Sequence, residues 1–279
     1  MTRLPASWST DARSAGARSR RLVARTVPAA SLAAEVRDAM FALFAASYAG
    51  ADRVRFERDL AEKQLVILLS ARAGGALRGF STVHVRELGD ADAPNGGGTL
   101  VYSGDTVIDR AYWGQKRLQL AFAALLVRLK LRRPGRPLYW FLISKGYRTY
   151  LLLANAFPRA VPRHDRPDDP ALREIVDACA AARFGADYDA AAGVVRYAEA
   201  HERVRPGLAP LDTSLLANPH VRFFAERNPG HADGDELACL AEVRLRDLAR
   251  ILPRNALRGA LGGVRGGAAA AHERAGRAA

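Results

Sequence analysis

Apolar positions along this chain change their period several times, and each change marks an element. In residues 31–48 they fall at Leu32, Val36, Met40, Leu43 and Phe44, which predicts a helix with Ser31 as its N-cap. Residues 56–61 predict a short second helix, and the apolar run 64–70 a buried strand. Gly74 and Gly75 then mark a hairpin turn into a strand over 77–88, with Phe80, Thr82 and His84 on one face and Ser81, Val83 and Val85 on the other. An acidic, Gly-rich loop over 90–98 leads to a strand over 99–108, a turn at 113–116 bearing Gly114, an amphipathic helix over 117–131, a strand over 137–143 and a helix over 146–155.

Beyond a Pro- and Arg-rich connection at 158–170, the pattern predicts a helix over 171–183, a turn at 187–189, a short strand over 193–197 and a loop over 201–210. Residues 211–252 read as two helices around the polar segment 228–235, the second beginning near Glu236 with Asp233 or Asp235 as its cap. This order predicts an α/β (α+β) fold: a mixed sheet with helices on both faces, and a helical C-terminal extension. The strands near 99 and 143, joined through a helix, form a right-handed parallel pair. Splaying of that pair opens a slot with the helix start after Trp113 at its mouth. Four segments follow: a disordered Arg-rich tail (1–30), the main domain (31–200), the helical extension (201–258) and a Gly/Ala/Arg tail (259–279).

Composition narrows the function. The formal net charge is +13 over 279 residues. The two tails hold most of it: +5 in residues 1–30 and +4 in residues 253–279. Only four of the 42 basic residues are lysines, at 63, 116, 130 and 145, a bias that, with abundant alanine, reflects a GC-rich genome more than a specific nucleic-acid site. The tails could still attract nucleic acid or anionic lipid non-specifically. The N-terminal stretch superficially resembles a transit peptide, with a disordered tail as the plainer reading. No run approaches the roughly 18 apolar residues that span a bilayer. Cys179 and Cys239 are too few for a disulfide framework and read as buried thiols, consistent with a cytoplasmic location. Hydrolase, nucleotide-binding and zinc motifs are absent.

The most informative stretch is 99–154. A strand running into a basic, glycine-bearing turn at a helix start is an anion site, because the first helical N–H groups lack intrahelical partners and the helix dipole favours negative charge. Gly114, Gln115, Lys116 and Arg117 stand there, and Lys145 opens the next helix. Asp105 is a candidate base and His84 another; Tyr147 and Tyr150 are candidate proton donors. Backbone around Tyr102 and Gly104 could bind substrate, with Gly104 allowing a bulge. Plainer alternatives stand beside each: a solvated carboxylate, a satisfied histidine, packed helix aromatics and a solvated lysine. The segment from His220 to Glu236, with His231, Asp233 and Asp235, has no metal-ligand spacing and reads as capping and turn structure.

Over residues 31–197 this order resembles the GCN5-related N-acetyltransferase (GNAT) superfamily. In that family a strand enters a pyrophosphate loop of the form Gln/Arg-x-x-Gly-x-Gly/Ala. Aligning Gly114 with the extra glycine of that loop puts Trp113, Lys116 and Leu118 at the signature positions, so both key glycines are absent. A second family pattern places Lys145, Arg148, Leu152 and Ala156 where Asn, Ala, Tyr and Gly are usual; Tyr150 lies two residues from the expected tyrosine. The resemblance implies transfer of an acyl group from acetyl-CoA, a longer acyl-CoA or acyl-phosphopantetheine on an acyl carrier protein to a small-molecule amine, without a metal. A homodimer is a further expectation. The alternatives are a catalytically inactive binding protein of the same fold and a nucleic-acid- or membrane-associated protein acting through its tails.

Overall fold

The computed structural model describes residues 21–72, 75–89, 97–197, 203–204, 211 and 213–252. In chain order the elements are β1 (Val23–Pro28), α1 (Ala34–Ser47), β2 (Tyr48–Ala49), α2 (Arg53–Ala61), β3 (Leu65–Ser70), β4 (Leu77–Leu88) and β5 (Gly98–Ile108). Next come α3 (Arg117–Arg132), β6 (Leu138–Ser144), α4 (Tyr147–Ala156), β7 (Ala160–Val161), α5 (Pro170–Phe184), β8 (Tyr188–Asp189) and β9 (Val194–Val195). The last are β10 (Arg203–Val204), α6 (Pro219–Arg227), β11 (Glu236–Glu242) and α7 (Leu245–Ile251). The main sheet runs β1-β3-β4-β5-β6-β11-β9-β8, with β7 also against β11 and a separate two-stranded pair β10-β2.

Alternation along the strands sorts the core by face. Val83, Val101, Trp140 and Cys239 pack with α3, α4, α6 and α7 on one face. On the other face Val66, Phe80 and Val107 pack under α1 and α2, whereas Leu100, Tyr102, Phe141 and Leu240 pack under α5. The second face thus carries two helical layers side by side, and the seam between them matters below.

The mixed α/β architecture stands as expected, and four local expectations are corrected. Ser31 is not a helix cap: residues 29–31 form a short 3₁₀ turn, and the Ser31 hydroxyl donates back to the Pro28 carbonyl at 2.7 Å. The working cap is Asp52, which accepts from Arg55 N–H at 2.7 Å and starts α2, a contact typically worth about 1 kcal/mol. Residues 23–28, assigned to the N-terminal tail, form β1, an edge strand paired with β3; its arginine and threonine conceal the strand pattern. Finally, the segment from Glu236 is a strand, not a helix. β11 lies between β6 and β9, buried on both faces, so its apolar run carries no period to separate strand from helix. Asp233 and Asp235 therefore cap no helix there, and Asp235 instead faces Arg196 at 3.5 Å. The 201–258 segment supplies a central strand as well as helices α6 and α7. The Gly74 turn, most of the 90–98 and 201–210 loops, residues 1–20 and the tail from 253 lie outside the described residues.

Candidate functional site

β5 and β6 run parallel and are paired only from Thr99–Leu138 to Ser103–Leu142. Beyond that point β5 is held by β4 and β6 by β11. The Trp140 indole N–H donates to Ser103 Oγ at 3.0 Å, fastening the two strands where they begin to part. The splay opens a cleft of about 1610 Å³ that reaches the seam between α2 and α5.

A bulge lies at the same place. Ser81 pairs with Thr106 and Val83 with Ser103, so Gly104 and Asp105 together oppose the single residue Thr82. Such two-against-one insertions re-aim side chains, and Asp105 lines the cleft together with Tyr102. Glycine is required at 104 by close approach. A Cβ there would lie 2.6 Å from Thr82 Oγ1 and 3.0 Å from Lys63 Cε. We expect Gly104→Ala to cost about 1–3 kcal/mol in chemical denaturation, because Thr82 is buried and moving Lys63 strains its pair with Asp59. Unchanged stability would show that the bulge tolerates a side chain.

Asp105 sits deep in the cleft. Withdrawal from water pushes its carboxyl up to about 7, with the Asp59 and Glu236 carboxylates adding to the rise and Lys63 and Lys145 opposing it. Beneath the bulge, the fully buried Lys63 ammonium meets Asp59 Oδ1 at 2.6 Å and donates to the Asp59 carbonyl at 3.0 Å. Burial lowers the Lys63 amine from its usual value, against the pull of Asp59. Arg183 reaches across the seam from α5, 2.8 Å from Asp59 Oδ1 and 3.1 Å from Glu62 Oε2, and its guanidinium lies 4.5 Å from the centroid of the Tyr102 ring. Burial pushes the Tyr102 phenol well above its usual range. At the end of β6, Lys145 pairs with Glu236 at 3.1 Å and lies over the rings of Tyr48 and Tyr197, and the Tyr197 hydroxyl donates to the same carboxylate at 3.0 Å.

His84 lines the cleft opposite Tyr102. Its Nδ1 is 2.9 Å from the Glu62 carbonyl, which can only accept, so Nδ1 donates there. The other cleft mouth lies where α3 and α4 begin. Neither helix has a side-chain N-cap. Gly114, at φ 86°, lines the cleft beside Trp113, whose ring is flanked by Arg148 at 5.1 Å and Arg110 at 6.0 Å.

The structure thus gathers Asp105, His84, Tyr102, Gly104, Gly114 and Lys145 on one cleft and leaves the other expected residues outside it. Tyr147 and Tyr150 lie one turn apart on the inner face of α4. Tyr150 is fully buried against Phe223, Phe224 and His220, and Tyr147 is buried in the same core. Both correct the proton-donor expectation, because helical periodicity puts them on the apolar face while Arg148 and Thr149 face the cleft. Gln115, Lys116 and Arg117 do not line the cleft either. The Gln115 side chain accepts from Leu22 N–H at 3.0 Å, tying down the start of β1, and Lys116 is exposed at the helix start. Asp59, Glu62, Arg183, Glu236 and Trp113 were not identified from sequence as site residues. Only the stripe of Asp59 and Glu62 along α2 hinted at a charged face; nothing local ties it to Arg183, 124 residues away from Asp59. Among the described residues no group of three or more His, Cys, Asp or Glu is arranged to hold a metal, and no helix is long and apolar enough to cross a membrane.

No family model matches this sequence, and no curated protein does. Several solved structures are similar to it at low identity. A structure titled "IAA acetyltransferase", from Bacillus cereus, is 10% identical over 80% of this chain and 100% of its own, with a TM-score of 0.37. A probable N-acyltransferase from Enterococcus faecalis is 14% identical over 47% of this chain and 31% of its own, TM-score 0.34. The GNAT-family YhbS of Escherichia coli, in complex with CoA, is 14% identical over 45% of this chain and 63% of its own, TM-score 0.31. The chain thus spans less than two thirds of the latter two. The mixed sheet, the parallel pair β5–β6 that splays beyond Ser103 and the connecting helix α3 agree with the GNAT-like fold that the resemblance implies.

Proposed function

We propose that this GNAT-like protein is an N-acyltransferase, moving an acyl group from a pantetheine thioester, as acyl-CoA or on an acyl carrier protein, to a small-molecule amine. The observation that carries the reading is the bulge at the splay, which sets a carboxyl poised near neutrality, Asp105, beside a slot between parallel strands. An amine is protonated at neutral pH and must lose a proton to attack a carbonyl, and a base titrating near 7 suits that task. The slot suits an extended amide-bearing arm, because beyond Ser103 β5 is paired with β4 alone. The uncapped starts of α3 and α4, with Arg110 and Arg148, suit the donor's phosphates at the mouth. The donor therefore enters by the α3 and α4 mouth, and the amine from the α2–α5 seam.

Thermal unfolding with free CoA, acetyl-CoA, longer acyl-CoAs and acyl carrier proteins tests the donor. A donor at 100 times its dissociation constant should stabilise the protein by about 2.7 kcal/mol. If no donor shifts the transition and none is consumed across an amine panel, the reading fails. Donor binding without turnover would favour a second reading, a binding protein that has lost the chemistry, which the leucine at 152 and the inward-facing Tyr147 and Tyr150 support.

A further inference from the structure

The transfer leaves a thiolate that needs a proton, and α4 offers no tyrosine to the cleft. Three tyrosines do line it: Tyr48, Tyr102 and Tyr197. Tyr48 and Tyr197 sit beneath the Lys145 ammonium, and Tyr197 already gives its hydroxyl proton to Glu236. Tyr102 differs. Arg183 lies over its ring, the guanidinium 4.5 Å from the centroid. A guanidinium has only donors, so it takes no proton from the phenol and leaves the hydroxyl hydrogen for another acceptor. The bulge brings Asp105 onto the cleft beside Tyr102, and the Tyr102 ring edge lies 3.6 Å from where a Gly104 Cβ would stand.

Resting on the acyltransferase reading, we infer that β5 alone carries both proton-transfer groups, with Asp105 receiving the amine's proton and Tyr102 donating to the leaving sulfur. The amine nitrogen bonds to the thioester carbonyl carbon, and the carbon–sulfur bond breaks with its electron pair on sulfur. Asp105 first passes the ammonium proton to water, then takes a second proton from nitrogen as the amide forms, and Tyr102 gives one to sulfur. The proton on Asp105 then returns to the Tyr102 phenolate, restoring both groups. Thioester plus amine becomes amide plus thiol. Burial keeps the Tyr102 phenol protonated through the neutral range, as a donor must be. Arg183 acts through Tyr102 and is a positioning residue.

The test compares wild type with Tyr102→Phe on two donors, acetyl-CoA and S-phenyl thioacetate, using an amine that wild type acylates and subtracting the uncatalysed rate. Thiophenolate is a weak base and leaves without a proton. With acetyl-CoA, kcat of Tyr102→Phe should fall about 100- to 1000-fold with KM little changed. With the phenyl thioester the variant should stay within about threefold of wild type. An unchanged CoA-induced thermal shift shows that the variant is folded and binds donor. If the variant keeps wild-type kcat on acetyl-CoA, or is equally slow on both donors, Tyr102 is not the acid. If wild type acylates no amine with acetyl-CoA, the comparison is made with the acyl-CoA or acyl carrier protein it does use, and if it uses none of them the acyltransferase reading fails and this inference falls with it.

Discussion

Asp105→Asn should abolish most turnover while making the protein more stable above neutral pH. Removing a positioned general base typically costs about 100- to 10,000-fold in rate. In wild type, kcat/KM should rise with pH through about 7, as Asp105 loses its proton. The variant should lack that limb. Stability runs the other way. The folded protein holds the Asp105 proton more tightly than the unfolded chain, whose carboxyl titrates near 3.8. Native protein therefore carries more bound protons between about 4 and 7, and its stability falls as pH rises through that window. At 1.36 kcal/mol for each pH unit the full penalty is at most about 4 kcal/mol, reduced by solvent reaching the half-buried carboxyl. Asparagine carries no such charge, so the variant's melting temperature should exceed that of wild type at pH 8 and converge with it near pH 4. Turnover within threefold of wild type would remove Asp105 from the chemistry. A variant less stable than wild type at pH 8 would show that its carboxylate is satisfied rather than strained.

Lys63→Met tests the charge beneath the bulge. The ammonium has no solvent exposure and makes a 2.6 Å pair with Asp59. Methionine matches its length without the charge. Breaking a fully buried pair costs about 3–5 kcal/mol, but Asp59 is partly exposed and keeps Arg183, so about 1–3 kcal/mol is expected in urea denaturation. The second effect is on titration. Lys63 holds the Asp105 carboxyl down against burial and Asp59. Without it Asp105 should titrate higher, and the acid limb of kcat/KM should move up by on the order of one pH unit. A pH profile identical to wild type would mean that Lys63 stabilises the fold without setting the base.

Local pattern was enough for the elements that end in glycine, proline or a capping side chain. Asp169 and Pro170 start α5, where Asp169 accepts from Ala171 N–H at 3.1 Å, whereas the first helix expected after residue 211 begins only at Pro219, where Asn218 accepts from His220 N–H at 2.9 Å. The strand of residues 77–88 was legible to the residue from the glycine turn before it and its alternating small polar and apolar residues, although Gly79 to Val83 are buried on both faces. The strand–turn–helix–strand unit at 99–143 was legible too, and with it the slot, Asp105 and Gly104. These follow from period, turn chemistry and chain connectivity, which are properties of neighbouring residues.

Tertiary structure alone decided the rest. β11 looked helical because a strand buried on both faces has no alternation to display, and only pairing with β6 and β9 fixes it. Tyr147 and Tyr150 carry the right chemistry, but which face of α4 meets α6 and which meets the cleft depends on how distant helices pack. The network of Asp59, Lys63, Arg183 and Tyr102 joins three parts of the chain that share no local pattern. Its charges acquire their effect on Asp105 only when folding withdraws them from water, because electrostatic coupling depends on distance and burial, neither of which is written in sequence order.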